Sequence, residues 1–362
     1  MSRYAPIEAA VAQIEARGLR RELRCLQMQG PVTGQLDGEQ VTVFCSNDYL
    51  GLAQHSEVQA AFKGTGTGAS RLISGNRPVH EALEERLSDM YGRPVTLFSS
   101  GYHANLALMS TVVGQGDTVA SDSLNHASLI DGLRLSRARR TILEHGCADG
   151  IETGTRMVVV EGVYSMDGDI LDLERYQGEH WLAVDEAHGF GVLGPGGLGA
   201  ASAQGIEPDF VVGTLGKAMG TYGAFVVGPP SLRELLISRG RSFIFTTGIP
   251  EPVAAASLVA IHLANDERRS ILNQNVLRLR RGLSDLGIPA LGAAHIVPIV
   301  LGARTMPVAD ALLKKGFWAA GIRSPTVAPG SERIRITVSA GHTAEHIDGL
   351  LEALEQLVQE TS

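Results

Sequence analysis

Residues 210–228 read "FVVGTLGKAMGTYGAFVVG": two unbroken apolar runs on either side of a glycine-rich turn that carries one lysine, Lys217. Apolar runs without alternation are what strands need when helices cover both faces of their sheet. A charged lysine fits badly between two such strands, and no acidic residue follows it within ten positions. Working outward, short strand-like pieces recur at "VTLFSS" (95–100), "DTVASD" (117–122), "RRTILEH" (139–145), "MVVVEGV" (157–163) and "WLAVDEA" (181–187). Helix-like segments, "HEALEERLSDMYG" (80–92), "HANLALMSTVVG" (103–114) and "SLIDGLRLSRA" (128–138), come between them. Strand and helix taking turns predicts right-handed crossovers and a mostly parallel sheet.

The flanks have a different character. Residues 7–24 read as an amphipathic helix, followed by an extended stretch around "VTVFCSNDYLGL" (41–52). After "GIPEP" (248–252), residues 252–287 look wholly helical. The tail holds "HIVPIVLG" (295–302), a helix near "MPVADALLKKG" (306–316), "RIRITVSA" (333–340), and a last helix with Ile347, Leu350, Leu351, Leu354 and Leu357 on one face. The expected division is an N-terminal segment, 1–45, a large sheet domain, 46–250, and a smaller α+β domain, 251–362.

Composition narrows the function. The chain has 362 residues and a net charge of −8, which argues against nucleic acid as a partner. Three scattered cysteines, Cys25, Cys45 and Cys147, offer neither a metal motif nor a disulfide framework. No apolar run approaches the roughly 18 residues of a membrane span, and the N-terminus lacks a signal-peptide core. A soluble, cytoplasmic protein without a metal is expected.

In open α/β sheets, ligands bind at the carboxyl ends of the strands. Those ends carry Gly101, Tyr102 and His103; Asn125 and His126; Ser165; Asp185 and His188; and Thr214 with Lys217. Each has an ordinary reading alone: a loop lysine, a hydrogen-bonded core histidine, a helix-capping aspartate. The "DEAH" string (185–188) suggests a helicase, but no GxxxxGK[ST] phosphate loop accompanies it. The combination is more specific. A lysine for an aldehyde, a carboxylate for a pyridine nitrogen and helix N-terminal amides for a phosphate are what pyridoxal phosphate requires.

Eight segments, in order, resemble the pyridoxal-phosphate α-oxoamine synthases: "CSNDYLGLAQH" (45–55), "GTGASRLISGNRPVHEALE" (66–84), "SSGYHAN" (99–105), "NHASLIDGLRLS" (125–136), "EGVYSMDGDILDL" (161–173), "VDEAHGFGVLGPGGLG" (184–199), "GTLGKAMGTYGAF" (213–225) and "IRSPTVAPGSERIRITVSAGHT" (322–343). The resemblance implies the aspartate-aminotransferase-type pyridoxal fold (fold type I), working as a homodimer with sites shared between subunits. It also implies roles. Lys217 bonds the cofactor and moves protons, Asp185 pairs with the pyridine nitrogen, His126 stacks on the ring, and His188 contacts its phenolic oxygen. Gly101 and Tyr102 offer amides to the phosphate, with Ser165 and Thr214 in the same pocket. Thr246 and Thr247 reach the phosphate from the other subunit. Asn47 and Arg335 hold the amino-acid carboxylate, Arg335 being preferred to Arg333 as the second arginine of its strand. His126 also borders the substrate, and Arg21, next to Arg20, and Thr326 match acyl-substrate positions.

Within the family, "SRLISG" with "HEALE", and "IRSPTVAPG", are most similar to members that condense L-alanine with a pimeloyl thioester in biotin synthesis. Coenzyme A and acyl-carrier protein both stay open as the thiol carrier. A sister activity, glycine with a short acyl thioester, is the alternative. The chain departs from the family by trimming at 56–66 and 144–156, and by Ser324-Pro325 where a proline pair is common.

Overall fold

A computed structural model describes residues 2–359. Near the N-terminus, β1 (Leu26–Met28), β2 (Thr33–Leu36) and β3 (Glu39–Val43) form an antiparallel ribbon. Seven strands follow: β4 (Val95–Phe98), β5 (Thr118–Asp122), β6 (Arg139–Leu143), β7 (Met157–Glu161), β8 (Trp181–Asp185), β9 (Phe210–Thr214) and β10 (Ala224–Val227). They make one sheet in the order β4-β10-β9-β8-β7-β5-β6. The tail adds β11 (Ile296–Val300), β12 (Phe317–Trp318), β13 (Ala320–Ile322) and β14 (Arg333–Thr337). Of these, β11, β14 and β13 form an antiparallel sheet, while β12 pairs in parallel with β3. The two ends of the chain thus share a sheet.

Every residue of β4, β7, β9 and β10 is buried, which explains why they are apolar apart from Thr96, Glu161 and Thr214. Strands β5 to β9 pair in parallel, but β10 runs antiparallel to both neighbours. Its link from β9 is shorter than the dozen or so residues a parallel crossover takes. Lys217 sits in that tight turn. The sheet is therefore mostly parallel, with one reversed strand.

Two helices differ from expectation. The first spans Ala5–Ala16 and stops short of residue 24, because Gly18 turns left-handed (φ 64°) and the Leu19 N–H closes on the Ile14 carbonyl oxygen at 2.9 Å. The long helical stretch is two helices, Glu251–Leu263 and Asp266–Asp285. The Asn265 side chain breaks the run by accepting the Arg268 N–H at 3.0 Å, which caps the second helix.

Polar contacts inside the core explain several of the distinctive segments. Arg71 of "SRLISG" lies 2.5 Å from Glu84, with side chains only 9% and 7% exposed, and Glu84 also accepts the Leu97 N–H of β4. Removing one partner of such a pair costs roughly 3–5 kcal/mol. Thr67 and His80 bond the Gly248 and Ile249 carbonyl oxygens, so this segment is stitched to the "TTGIP" loop. Fully buried Glu186 accepts the N–H groups of Ala200 and Ala201, each at 2.8 Å. A Cβ at Gly189 or Gly199 would come within 2.0 or 2.4 Å of that carboxylate group. This accounts for the glycines around His188. No helix among the described residues is long and apolar enough to cross a membrane.

Candidate active site

The carboxyl ends of β4, β7, β8 and β9 open on a cavity of about 200 Å³. Its walls include Gly101, Tyr102, His126, Asp185, His188, Thr214 and Lys217, together with Asn105 and Glu161. Gly101 and Tyr102 begin the helix Gly101–Val112, whose first N–H groups have no partner within the helix and carry its positive dipole end. Ser100 caps this helix by accepting the His103 N–H at 3.2 Å.

Asp185 ends β8 and is 6% exposed. Asn105 Nδ2 donates to one of its oxygens at 2.7 Å and the Ala187 N–H to the other at 2.9 Å, so the carboxylate is held in one orientation. Lys217 contributes an amine that has no hydrogen bond or ion pair among the described residues. Burial pulls its pKa down to about 8, with Asp185 and Glu161 opposing and Arg335 adding to the drop. Glu161, at the end of β7, accepts the His126 N–H at 2.5 Å, and burial raises its pKa well above the usual carboxylate range.

His126 caps the helix Ala127–Ser136. Its Nδ1 accepts the Ser128 N–H at 3.2 Å, which leaves Nε2 as the protonated nitrogen of the neutral ring. Burial lowers its pKa. His188 is buried, and burial followed by the charges of Lys217 and Arg335 keeps it neutral. Its Nδ1 lies 2.6 Å from the hydroxyl of Tyr49, which is 3.1 Å from Asn47 Oδ1.

The two arginines of β14 differ in a way that decides between them. Arg333 forms an ion pair with Asp167. Arg335, 5% exposed, donates instead to neutral acceptors: the Ser165 carbonyl oxygen at 2.5 Å and Asn47 Oδ1 at 3.2 Å. No carboxylate among the described residues pairs with it. A buried cation without an anion is a ready place for a substrate carboxylate.

Asn47, Arg335, Ser165, Thr246, Thr247, Arg21 and Thr326 are not among the residues that line the cavity. Ser165 serves Arg335 through its backbone and is not among the lining residues, because the turn after β7 carries it toward β14. Thr246 and Thr247 lie on the loop after the helix Arg241–Ile244, with Thr247 exposed. Arg21 and Thr326, 305 residues apart, do come together, with 3.4 Å between guanidinium and hydroxyl. Neighbouring Arg20 is taken up by Glu15 at 2.6 Å. Arg323 clasps this segment by donating to the carbonyl oxygens of Gly18 and Arg20.

Sequence reasoning missed Asn105, Glu161 and Tyr49. Glu161 could have been found, since an ionisable residue ending a wholly apolar strand is the signal that singled out Asp185. Asn105 lies four residues after Gly101, hence on the same helix face. Tyr49 comes from outside the sheet and carried no local signal.

The residues fit pyridoxal phosphate. An amine of lowered pKa faces an oriented carboxylate, helix amides border one end, and neither that amine nor the buried Asn105 Oδ1 has a hydrogen-bond partner among the described residues. The family model for aminotransferase class I and II matches residues 39–354. An 8-amino-7-oxononanoate synthase of Methylococcus capsulatus is 45% identical over 378 residues, covering 97% of each chain. The structure of Sphingomonas wittichii serine palmitoyltransferase superposes with a TM-score of 0.91 at 30% identity, over 99% of this chain and 98% of that one. An 8-amino-7-oxononanoate synthase from Francisella tularensis gives 0.78 at 28% identity, over 89% and 98%. Pyridoxal phosphate is the cofactor of this family. The chain belongs to the aminotransferase class I and II family and, within it, to the 8-amino-7-oxononanoate synthase group of pyridoxal-phosphate-dependent acyltransferases.

Proposed function

We propose that the enzyme condenses L-alanine with a pimeloyl thioester, releasing CO2 and free thiol and leaving 8-amino-7-oxononanoate. The observation that carries the amino-acid half is Arg335, a buried guanidinium with no carboxylate partner among the described residues, close enough to Lys217 for its charge to help lower that amine's pKa. The acyl half is supported by relatives named for that product that are up to 45% identical over nearly the whole chain.

Pyridoxal phosphate, when bound, supplies an aldehyde for the amine and a ring that takes up the electron pair left at Cα. Arg335 and Asn47 grip the alanine carboxylate. Lys217, beside Cα, takes its proton and later returns one. Asp185 would hold the proton at the ring nitrogen, His126 would cover the ring face, and His188, set by Tyr49, would meet the phenolic oxygen. Gly101, Tyr102 and Thr214 would border the phosphate. The new carbon–carbon bond forms as the carbon–sulfur bond breaks and the thiol leaves. The alanine carboxylate then departs as CO2, and Cα regains a proton. Arg21 and Thr326 receive the acyl chain, whose carrier is coenzyme A or acyl-carrier protein.

The test pairs L-alanine or glycine with pimeloyl, acetyl and succinyl thioesters, scored by free thiol. L-alanine with pimeloyl thioester should be fastest, and Arg21→Ala should raise KM for that thioester alone. Faster turnover of glycine would assign the sister activity.

The working unit in this reading is a homodimer in which Thr247 of the partner subunit completes each phosphate site. Exposed Leu72, Ile73 and Phe245, on the two loops that contact one another, support a covered face there. Mixing Lys217→Ala with Thr247→Tyr chains should restore activity, because one site of the mixed dimer carries neither lesion. If mixed dimers form, as checked by mass, and stay inactive, the sites are not shared.

A further inference from the structure

Away from the cavity, one chain of contacts joins two walls of the site. Asp122, the buried last residue of β5, shapes the turn leading to His126, and its Oδ1 accepts the Leu124 N–H at 2.8 Å. Asp169 ends the turn after β7, residues 164–169. That turn supplies the Ser165 carbonyl oxygen to Arg335 and the Asp167 carboxylate to Arg333. His145 stands between the two aspartates, with Nδ1 2.9 Å from Asp122 Oδ1 and Nε2 2.9 Å from Asp169 Oδ2.

Both ring nitrogens therefore donate, which only the imidazolium does. The two carboxylates push its pKa up to about 10, so the charge is present at neutral pH. Asp169 Oδ1 is buried without a hydrogen-bond partner, and His145 is the partner of the other oxygen. The Tyr164 ring packs edge-on against His145 at 4.5 Å, and its hydroxyl donates to Asn125 at 3.1 Å, one residue before His126. The three groups lie in line instead of converging, and no set of described residues could hold a metal ion.

We propose that His145 is a positioning residue that ties the His126 turn to the turn orienting Arg335, and so fixes the distance between the ring-facing wall and the substrate-carboxylate clamp. This rests on the reading of His126 and Arg335 given above. Without the imidazolium, the half-buried Asp169 carboxylate has no partner among the described residues for either oxygen, and the turn 164–169 shifts to bring the buried Oδ1 to water. The Ser165 carbonyl oxygen then no longer holds Arg335.

The test titrates L-alanine onto cofactor-loaded enzyme, read by visible absorbance, with KM for the acyl thioester measured separately. His145→Gln and Asp169→Asn should each weaken L-alanine binding about tenfold, the loss of one charge-assisted hydrogen bond, with thioester KM changed less than about twofold. Asp169 is 29% exposed, so Asp169→Asn carries the test if His145→Gln does not fold. Unchanged L-alanine affinity alongside a lowered Tm would make the cluster merely structural and overturn the proposal. If the wild type answers to glycine in place of L-alanine, only the substrate reading fails, and the same ratios are read on glycine.

Discussion

Lys217→Ala is expected to lower turnover by about a thousandfold or more, since in the proposed function Lys217 is both the group that bonds the cofactor and the base beside Cα. Wild-type enzyme should show a visible absorbance that borohydride abolishes while fixing cofactor mass on Lys217. The variant should show neither the bleaching nor the added mass. The lowered pKa gives this a pH signature. Only the neutral amine attacks an aldehyde, and burial brings the Lys217 pKa down to about 8. Cofactor capture by enzyme stripped of it should therefore quicken as pH rises through about 8 and level off above, the charged form dominating below. A capture rate still climbing steeply near pH 10 would mean that Lys217 titrates like an exposed lysine.

Asp185→Asn should leave the cofactor bound but cost at least a factor of about ten in turnover, or about 1.4 kcal/mol of barrier. In the proposed role the aspartate would favour the protonated pyridine nitrogen through its charge, and a neutral amide of the same shape would not. The fold should survive, because the Ala187 N–H still finds an oxygen acceptor there. Absorbance reports cofactor loading and thiol release reports turnover, which separates the two effects. A variant that keeps more than about a tenth of the wild-type rate contradicts the role.

The sheet was legible because β7, β9 and β10 are buried on both faces and apolar up to the Glu161 and Thr214 that close β7 and β9, so sequence and burial carry the same signal. The reversal of β10 was not, since direction depends on a link too short to cross over. The helix ends were misread where one residue intervened, Gly18 through its backbone and Asn265 through its side chain. Within the site, Asp185, Lys217 and His126 stood out as polar residues at strand ends. Tyr49 and the Asp122–His145–Asp169 line escaped notice because their partners are dozens of residues away. Sequence spacing does not encode such contacts. The choice of Arg335 over Arg333 gained its physical basis only from the fold, which pairs Arg333 with Asp167.

The central claim is a condensation that loses the amino-acid carboxylate, and carbon labelling tests it most directly. Enzyme is given L-alanine labelled at its carboxyl carbon, together with a pimeloyl thioester, and labelled CO2, free thiol and product mass are counted. One labelled CO2 per thiol is expected, with an unlabelled aminoketone that keeps Cα and the methyl group. Thiol release without labelled CO2, or labelled pyruvate in place of the aminoketone, would contradict it.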